Sequence, residues 1–185
     1  MQNDSELISR ILFGDVRAFK VLVSQHEKIV VSMISRIVAR QEDVEDVCQE
    51  VFIKVHNSLR LFKFQSQLST WIARIAYTTA INHRKKTSAN ARRTADVDDV
   101  EALEFRHRED QDPETLLLKK DTSAFIQAEI MKLPDHYRTV LTLYHLNEFS
   151  YNEIEEITGM PEGTVKNYLF RARKLLKENL GNYMN

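Results

Sequence analysis

Glycine and proline are scarce in this chain, whose 185 residues include four glycines and three prolines. These two residues form most tight turns, so a sheet with many hairpins would lack turn chemistry. Most apolar residues instead recur every three or four positions, which is the spacing of one helix face. Hydrophobic residues make up 43% of the chain. That is enough for a packed core, and we expect an all-α protein.

The chain carries no signal for a membrane span, a disulfide or a metal site. No apolar run approaches the roughly 18 residues that a span needs, and the first ten residues, MQNDSELISR, are polar and mixed in charge. The single cysteine, Cys48, cannot form an internal disulfide, and the six histidines are scattered without ligand spacing. We therefore expect a cytosolic protein with no metal and no cofactor.

Composition divides the chain into three parts. Residues 5–86 and 117–182 have helical periodicity and predict two small helical domains. In the first of these, Gly14 can end one helix and Asp15 can begin the next. Residues 87–116 are basic at the start, acidic afterwards and poor in periodic apolar residues. This composition predicts a flexible, solvated linker.

The segment SYNEIEEITGMPEGTVKNYLFRARKLL predicts a helix-turn-helix. Ser150 can cap a short helix, Gly159 permits a tight turn, and Pro161 suits the first turn of a second helix. Residues 162–180 carry five cations against two acids, whereas the net charge of the whole chain is −1. This local excess of positive charge is typical of a surface that binds nucleic acid.

The second helix of this motif has two distinct faces. A stripe predicted to be buried contains Val165, Leu169, Ala172 and Leu176. The candidate contacts to a DNA major groove are Thr164, Lys166, Asn167, Phe170, Arg171, Arg173 and Lys174. Arginine and lysine can bind phosphates or guanine, asparagine can pair with adenine, and Phe170 can touch a thymine methyl group. Alternatively, this basic face is merely solvated and Phe170 folds back onto the preceding helix.

A second candidate surface comes from residues 42–59, EDVEDVCQEVFIKVHNSL. The predicted buried stripe contains Val44, Val47, Val51 and Val55, and the opposite side contains Asp46, Gln49, Glu50 and Ile53. An apolar residue ringed by acids and amides is typical of a protein-docking face. Alternatively, Ile53 is one of the scattered surface hydrophobes that all proteins have.

A third candidate surface combines a polar loop with a helix in residues 62–86. We expect Ser69 or Thr70 to cap the helix. Trp71 and Tyr77 lie among cations and could stack on bases, as in single-strand binders, or could be core residues. Asn82 and the basic cluster Arg84, Lys85 and Lys86 favour a nucleic-acid role.

The stretches DVEDVCQEVFIK, STWIARIAYTTAINHRKK and LPDHYRTVLTLYHLNEFSYNEIEEITGMPEGTVKNYLFRARKLL together resemble the extracytoplasmic-function (ECF) sigma factors of bacterial RNA polymerase. They occur in the family's order and cover nearly all of the chain outside the linker. The resemblance implies that residues 5–86 form a sigma-two domain and residues 117–182 a sigma-four domain. It also implies no enzymatic activity.

The resemblance assigns a partner to each candidate surface. Asp46, Gln49, Glu50 and Ile53 fall on the face that docks on a coiled coil of the largest polymerase subunit, with Phe52 supporting that helix from the core side. Phe64, Thr78, Asn82, Arg84, Lys85 and Lys86 fall where the family recognises and opens the minus-ten element. The helix-turn-helix falls where the family reads the minus-thirty-five element. Further partners would be a flap of the second-largest subunit and an anti-sigma protein.

The chain departs from the family pattern at two places. The loop before the tryptophan often has a glycine followed by an acid, whereas this chain has Phe64 and Gln65. Thr78 stands where some members have asparagine. The resemblance therefore does not define the pocket for a flipped minus-ten base or the base that this pocket prefers.

Two other classes of protein are compatible with the residues alone. One is a stand-alone helix-turn-helix regulator whose N-terminal half senses a ligand. The other is a helical enzyme or scaffold with an incidental basic helix. The sequence contains no nucleophile with a positioned base, no paired catalytic carboxylates and no glycine-rich phosphate loop. These two classes and a sigma factor differ in whether promoter recognition depends on core polymerase.

Overall fold

The computed structural model describes residues 4–38, 40–94 and 120–181. These ranges form eight α-helices and one short 3-10 turn, and they contain no strand. The helices are α1 (Asp4–Leu12), α2 (Val16–Ile37), α3 (Gln41–Ser58), α4 (Leu68–Thr94), α5 (Lys120–Met131), α6 (Asp135–His145), α7 (Tyr151–Thr158) and α8 (Glu162–Gly181), with the 3-10 turn at Leu59–Leu61. The all-α prediction is confirmed.

Helices α1 to α4 form the N-terminal module. Helix α2 packs against α1, α3 and α4. The valine stripe predicted for α3 is buried at all four positions, Val44, Val47, Val51 and Val55. Gly14 has a φ of +90°, and the Asp15 carboxylate caps α2 by accepting hydrogen bonds from the backbone N–H groups of Arg17 and Ala18. Local capping thus fixes the corner between α1 and α2 as predicted.

Helix α4 differs from the prediction at both ends. It begins at Leu68, so Ser69 and Thr70 lie inside its first turn, and the prediction that one of them caps the helix is wrong. The Leu68 side chain is buried, which holds this residue in the helix. At the other end α4 continues to Thr94, beyond the predicted domain end at residue 86. No glycine or proline occurs between these limits, so no local signal ends the helix earlier.

Helices α5 to α8 form the C-terminal module. Helix α8 packs against α5, α6 and α7. Its predicted stripe is buried at Val165, Leu169 and Ala172, while Leu176 is half-buried. The linker was predicted at residues 87–116, of which residues 87–94 belong to α4 and residues 95–116 lie outside the described residues.

The two modules pack against each other through two helix pairs, α2 with α6 and α4 with α7. Polar side chains bridge the pairs as well. The amide of Asn147 donates to the hydroxyl of Ser32 at 2.9 Å, and the hydroxyl of Thr70 donates to Glu153 at 2.9 Å. Two arginines of the N-terminal module also reach across, Arg36 to Gln127 and Arg84 to Asp135. The arrangement places the helix-turn-helix beside the start of α4.

Candidate protein and DNA interfaces

The helix-turn-helix forms as its sequence predicts, with local hydrogen bonds at each junction. Ser150 and Glu153 form a capping box at the start of α7, in which the Ser150 backbone N–H donates to Glu153 Oε2 at 2.9 Å. Gly159 ends α7 with a φ of +73°, a conformation that glycine adopts without steric cost. Pro161 directly precedes α8, where its carbonyl accepts from the Thr164 and Val165 N–H groups. The angle between α7 and α8 is therefore locally fixed.

One further contact caps the second helix. A carboxylate oxygen of Glu155 accepts a hydrogen bond from the Glu162 backbone N–H at 3.1 Å, satisfying one free donor at the start of α8. On the neighbouring face, the ring of Tyr168 packs against His136 and Tyr137 of α6, with centroids 4.7 and 5.4 Å apart. Together these contacts hold α8 against the rest of the module.

The basic face of α8 is open to solvent. Its exposed members are Lys166, Asn167, Phe170, Arg171, Arg173 and Lys174, whereas Thr164 is half-buried. The side chain of Phe170 is 68% exposed. The ring does not fold back onto α7, so that part of the alternative is wrong. An exposed aromatic ring among cations fits a surface that meets a partner.

Two cations of this face are held by aromatic rings. The Arg173 guanidinium lies 5.3 Å from the centroid of Tyr144, and its Nε donates to His145 Nε2 at 3.0 Å. Lys166 lies 5.3 Å from the centroid of Tyr151 and pairs with Glu162. The two tyrosine rings stack on each other, with centroids 5.1 Å apart. These contacts orient Lys166 and Arg173 before any ligand binds.

Neutral His145 is required for the bond from Arg173, because a protonated imidazole cannot accept it. Partial burial, and secondarily the positive charge of Arg173, lower the pKa of His145. The imidazole thus remains an acceptor at neutral pH. Arg171 differs from Arg173 in this respect, since it has no ion pair or hydrogen bond within the described part of the chain.

The predicted minus-ten residues lie on the loop before α4 and along that helix. Phe64, Thr78, Asn82, Lys85 and Lys86 are exposed. Arg84 is half-buried, because it pairs with Asp135 of the C-terminal module. Trp71 and Tyr77 are half-buried and pack against the hydrophobic core, which favours the core interpretation of both residues.

Phe64 adopts an unusual backbone conformation. Its φ is +57°, in the left-handed region that glycine adopts readily and bulky residues disfavour. The sequence departs from the family pattern at this same position. The Phe64 ring packs against Phe62, with centroids 4.8 Å apart, and Phe62 packs against Trp71 at 5.3 Å. A continuous row of rings therefore runs from the loop to the core.

The predicted docking face of α3 is exposed as expected. Asp46, Gln49 and Glu50 face solvent, and the Ile53 side chain is 61% exposed. Lys54 binds Glu50 at 2.7 Å and reaches the hydroxyl of Thr79 on α4 at 3.2 Å. Lys54 thus links this face to α4, and the face itself remains exposed to solvent.

Beside this face lies an apolar groove that sequence analysis missed. Its volume is about 910 Å³. The groove is lined mainly by Ile11, Val16, Phe19, Val23, Val31, Val44, Cys48, Phe52 and Ile53. Phe52, predicted to support α3 from the core side, is half-buried and also lines the groove. The side chain of Phe13, at the neighbouring α1–α2 corner, is 94% exposed.

A local signal for this groove is the apolar run Ile11, Leu12 and Phe13 that precedes Gly14. The side chain of Leu12 is half exposed, and Val16 is exposed as well. Cys48 lines the same groove. Burial, and then the charges of Glu27 and Glu45, raise the pKa of the Cys48 thiol to about 11. The thiol is therefore a packing group rather than a nucleophile at neutral pH.

Within the described ranges, no group of three or more potential ligands could hold a metal ion. Within the same ranges, no helix is both long enough and apolar enough to cross a membrane.

Two protein families match the two modules. The family described as Sigma-70 region 2 matches residues 22–90, and the family described as Sigma-70, region 4 matches residues 126–176. The first match includes the α3 face and most of α4. The second includes α6 and the helix-turn-helix.

Curated relatives align over almost the whole chain. The RNA polymerase sigma-H factor of Pseudomonas aeruginosa is 35% identical, with 97% of this chain and 94% of the relative covered. The ECF RNA polymerase sigma-E factor of Escherichia coli K12 is 38% identical, with 94% and 92% covered.

A solved structure has a similar fold. The sigma factor RpoE of Bartonella quintana, determined in complex with the anti-sigma factor NepR, matches with a TM-score of 0.69. The match covers 90% of this chain and 98% of that one, at 18% sequence identity. At that identity the match concerns the fold alone.

Proposed function

Because this chain belongs to the extracytoplasmic-function sigma factors, which bind bacterial core RNA polymerase and direct promoter-specific initiation of transcription, we propose that three of its surfaces divide this work. The α3 face binds core polymerase. The loop before α4, together with α4, binds the opened minus-ten element. The basic face of α8 binds the minus-thirty-five element as a duplex. The protein itself performs no covalent chemistry.

The exposed side of α3 supports the first assignment. Ile53 supplies an apolar anchor, and Asp46, Gln49 and Glu50 supply a polar rim, as at the centre and edge of protein interfaces. The adjacent groove enlarges the apolar area available to a partner. We assign the coiled coil of the largest polymerase subunit to this face, and a flap of the second-largest subunit to the C-terminal module.

The side chains along α4 support the second assignment. Thr78 and Asn82 present hydrogen-bonding groups, and Lys85 and Lys86 present positive charge, all of them exposed. Cations that follow the backbone, combined with groups that contact unstacked bases, are the usual elements of single-strand recognition. Capture of unpaired non-template bases on this surface would drive melting of the minus-ten element.

The solvent-exposed face of α8 supports the third assignment. A single helix fits the major groove of B-form DNA. Asn167 and Arg171 project from the exposed side of α8, and Arg173 and Lys166 are held in place by tyrosine rings. We assign base contacts to Asn167, Phe170 and Arg171. Lys166, Arg173 and Lys174 would bind phosphates, and half-buried Thr164 would bind the backbone at the edge of the groove.

Promoter binding requires the two modules to separate to the spacing of the promoter elements. In the packed arrangement, Arg84 is paired with Asp135 and Thr70 is bound to Glu153, so part of the minus-ten surface is engaged by the other module. The segment between α4 and α5 would allow this separation once core polymerase binds. DNA affinity would then arise mainly in the holoenzyme, through the high effective concentration of each module near its element.

The partners place this activity in the cytoplasm, where core polymerase and promoter DNA are found. We further propose an anti-sigma protein as a regulator. The relative from B. quintana was solved with such a partner. The apolar groove beside α3 is a suitable surface for it, because occupation there would compete with core polymerase.

The single observation that carries this proposal is the helix-turn-helix with a solvent-exposed basic face, joined in one chain to the exposed face of α3. The test is run-off transcription by purified core polymerase with and without the full chain, on templates from a random-sequence promoter library. We expect discrete transcripts only when the chain is present. A chain that footprints an operator unaided but supports no transcript would be a stand-alone regulator. A chain that does neither would be a scaffold.

A further inference from the structure

A single hydrogen bond joins the basic face of α8 to the end of α6. His145 is the last residue of α6, and Nε of Arg173 donates to its Nε2 at 3.0 Å. This bond uses one of the five N–H groups of the guanidinium. The other four lie on the two terminal nitrogens of an exposed side chain, where a phosphate can approach both nitrogens at once.

The ring of Tyr144 supports the same guanidinium from a different direction. Arg173 lies 5.3 Å from the centroid of this ring, and the His145 ring meets it edge-on with centroids 5.0 Å apart. A cation–π contact holds a guanidinium near the face of a ring but restricts its rotation little. A hydrogen bond is directional. The imidazole of His145 therefore determines which way the terminal nitrogens of Arg173 point.

The protonation state of His145 controls this bond, because only a neutral imidazole can accept it. The groups around the ring are Tyr144 on the same helix, Arg173 on α8 and, stacked on Tyr144, Tyr151 of α7 with Lys166 of α8 near its ring. The C-terminus of α6 favours the protonated form. Partial burial and then the charge of Arg173 outweigh it, so the pKa of His145 lies below its ordinary value of 6.5. The bond is therefore present at neutral pH and lost in acid.

We propose that His145 is a positioning residue for DNA binding, which holds Arg173 in the orientation that contacts a backbone phosphate and releases it on protonation. This inference rests on the proposed binding of the minus-thirty-five element by α8. A protonated imidazole repels the guanidinium and offers it no acceptor, so the entropy of ordering the Arg173 side chain then opposes binding. Affinity for the duplex includes a contribution from Arg173 that is present at neutral pH and decreases in acid.

The test is a double-mutant cycle on holoenzyme assembled from core polymerase and the full chain. Fluorescence anisotropy would measure its affinity for a minus-thirty-five duplex taken from a promoter that the wild-type holoenzyme selects. We expect Arg173→Ala to lower the slope of log affinity against log salt by about 1, as for one phosphate contact. His145→Ala should weaken binding roughly 2- to 12-fold, the range for one hydrogen bond. The double variant should bind no more weakly than Arg173→Ala alone, because His145 acts through Arg173.

A comparison of two pH values separates this role from a merely structural one. Between pH 7.5 and pH 5.5, the fold-loss caused by Arg173→Ala should shrink in the chain that retains His145. It should stay constant when His145 is replaced by glutamine, whose amide oxygen accepts the bond at either pH. His145→Gln should also retain wild-type affinity at pH 7.5. Because each comparison is a ratio with and without Arg173, the charge of the imidazolium itself cancels.

The matched control is His136→Gln, at the other end of α6. Burial lowers the pKa of His136 as well, but its ring contacts Tyr168 rather than Arg173. This variant should keep the wild-type dependence of the Arg173→Ala loss on pH. The thermal midpoint of His145→Ala should match that of wild type, since His145 is exposed.

Three results would overturn the inference. They are additive losses in the cycle, a loss from Arg173→Ala that is the same at both pH values in the chain with His145, and no loss from Arg173→Ala at either pH. Failure of the proposed function is distinguishable, because the wild-type chain would then give no run-off transcript at pH 7.5.

Discussion

The hydroxyl of Thr70, in the first turn of α4, donates a 2.9 Å hydrogen bond to Oε1 of Glu153, whose other oxygen closes the capping box of α7. The Thr70 side chain is fully buried. Burial alone would raise the pKa of Glu153, but hydrogen bonds from Ser150 and Thr70 outweigh this effect and keep its pKa below the ordinary value. One carboxylate thus joins α4 to the helix-turn-helix.

Loss of the polar contacts between the modules should favour their separation. We expect Thr70→Val combined with Asn147→Ala to increase the radius of gyration measured by small-angle X-ray scattering. The free energy of unfolding should fall by about 1–3 kcal/mol, since each lost hydrogen bond contributes roughly 0.5–1.5 kcal/mol. Far-UV circular dichroism should be unchanged.

The matched control for this pair is Thr79→Val. Thr79 is also buried, but its hydroxyl accepts a hydrogen bond from Lys54 within the N-terminal module. This variant should keep the radius of gyration of wild type. An unchanged radius in the double variant as well would mean that these contacts do not hold the modules together.

Charge reversal on α3 should abolish binding to core polymerase without unfolding the chain. Asp46→Lys with Glu50→Lys changes two exposed side chains, and among the described residues the only ion pair lost is the surface pair of Glu50 with Lys54. Such pairs contribute little to stability. Biolayer interferometry with immobilised core enzyme would measure the loss.

A control on the same helix is Glu42→Lys. Glu42 is exposed and pairs with Arg40 at the start of α3, away from Ile53. This variant should bind core enzyme as wild type does. Wild-type affinity in the Asp46 and Glu50 double variant would remove the docking assignment.

Much of the local structure could be predicted from the sequence, because it depends on neighbouring residues. The valine stripe of α3 follows from helical periodicity, and the caps at Asp15, Ser150 and Gly159 follow from side-chain chemistry within a few positions. The basic face of α8 is exposed as predicted because its buried stripe fixes the orientation of the helix.

The features that were missed depend on distant parts of the chain. Thr70 appeared to be a helix cap, but Leu68 is buried by the core and extends α4 past it. The groove beside Ile53 requires α2 and α3 to be packed against each other, which no periodicity encodes. Likewise, nothing local to Arg84 indicates its pairing with Asp135.

Arg171 should contribute sequence-specific affinity for the minus-thirty-five duplex. We expect Arg171→Ala to weaken holoenzyme binding to that element by about 1–3 kcal/mol if the guanidinium makes a bidentate base contact. Fluorescence anisotropy with a panel of single-base variants would measure this, and Lys177→Ala provides a control from the C-terminal end of α8. An equal loss on every sequence would instead identify a phosphate contact.

Mild acid should destabilise the folded chain through His26. Burial lowers the pKa of His26 from its ordinary value of 6.5, and Asp4 only partly opposes this effect. Neither ring nitrogen has a hydrogen-bond partner within the described residues. The unfolded chain therefore binds a proton at a pH where the folded chain does not. Stability is fully present above about pH 6.5 and decreases as the pH falls below it, towards the lowered pKa.

Urea denaturation at pH 7.5 and 5.5 would measure this effect. The wild-type midpoint should fall between these values of pH, and His26→Gln should reduce the fall. Asp15 and Glu153 have lowered pKa values, so their contributions are lost only at more acidic pH. An equal fall in the variant would show that other groups carry the pH dependence.

The most direct test of the account is the affinity of a labelled promoter duplex for the free chain and for the holoenzyme, measured at one salt concentration. We predict weak binding by the free chain and binding about 10²- to 10⁴-fold tighter once core polymerase is present, with protection of both promoter elements. Equally tight, sequence-specific binding by the free chain would contradict the account, because DNA recognition would then not depend on the polymerase.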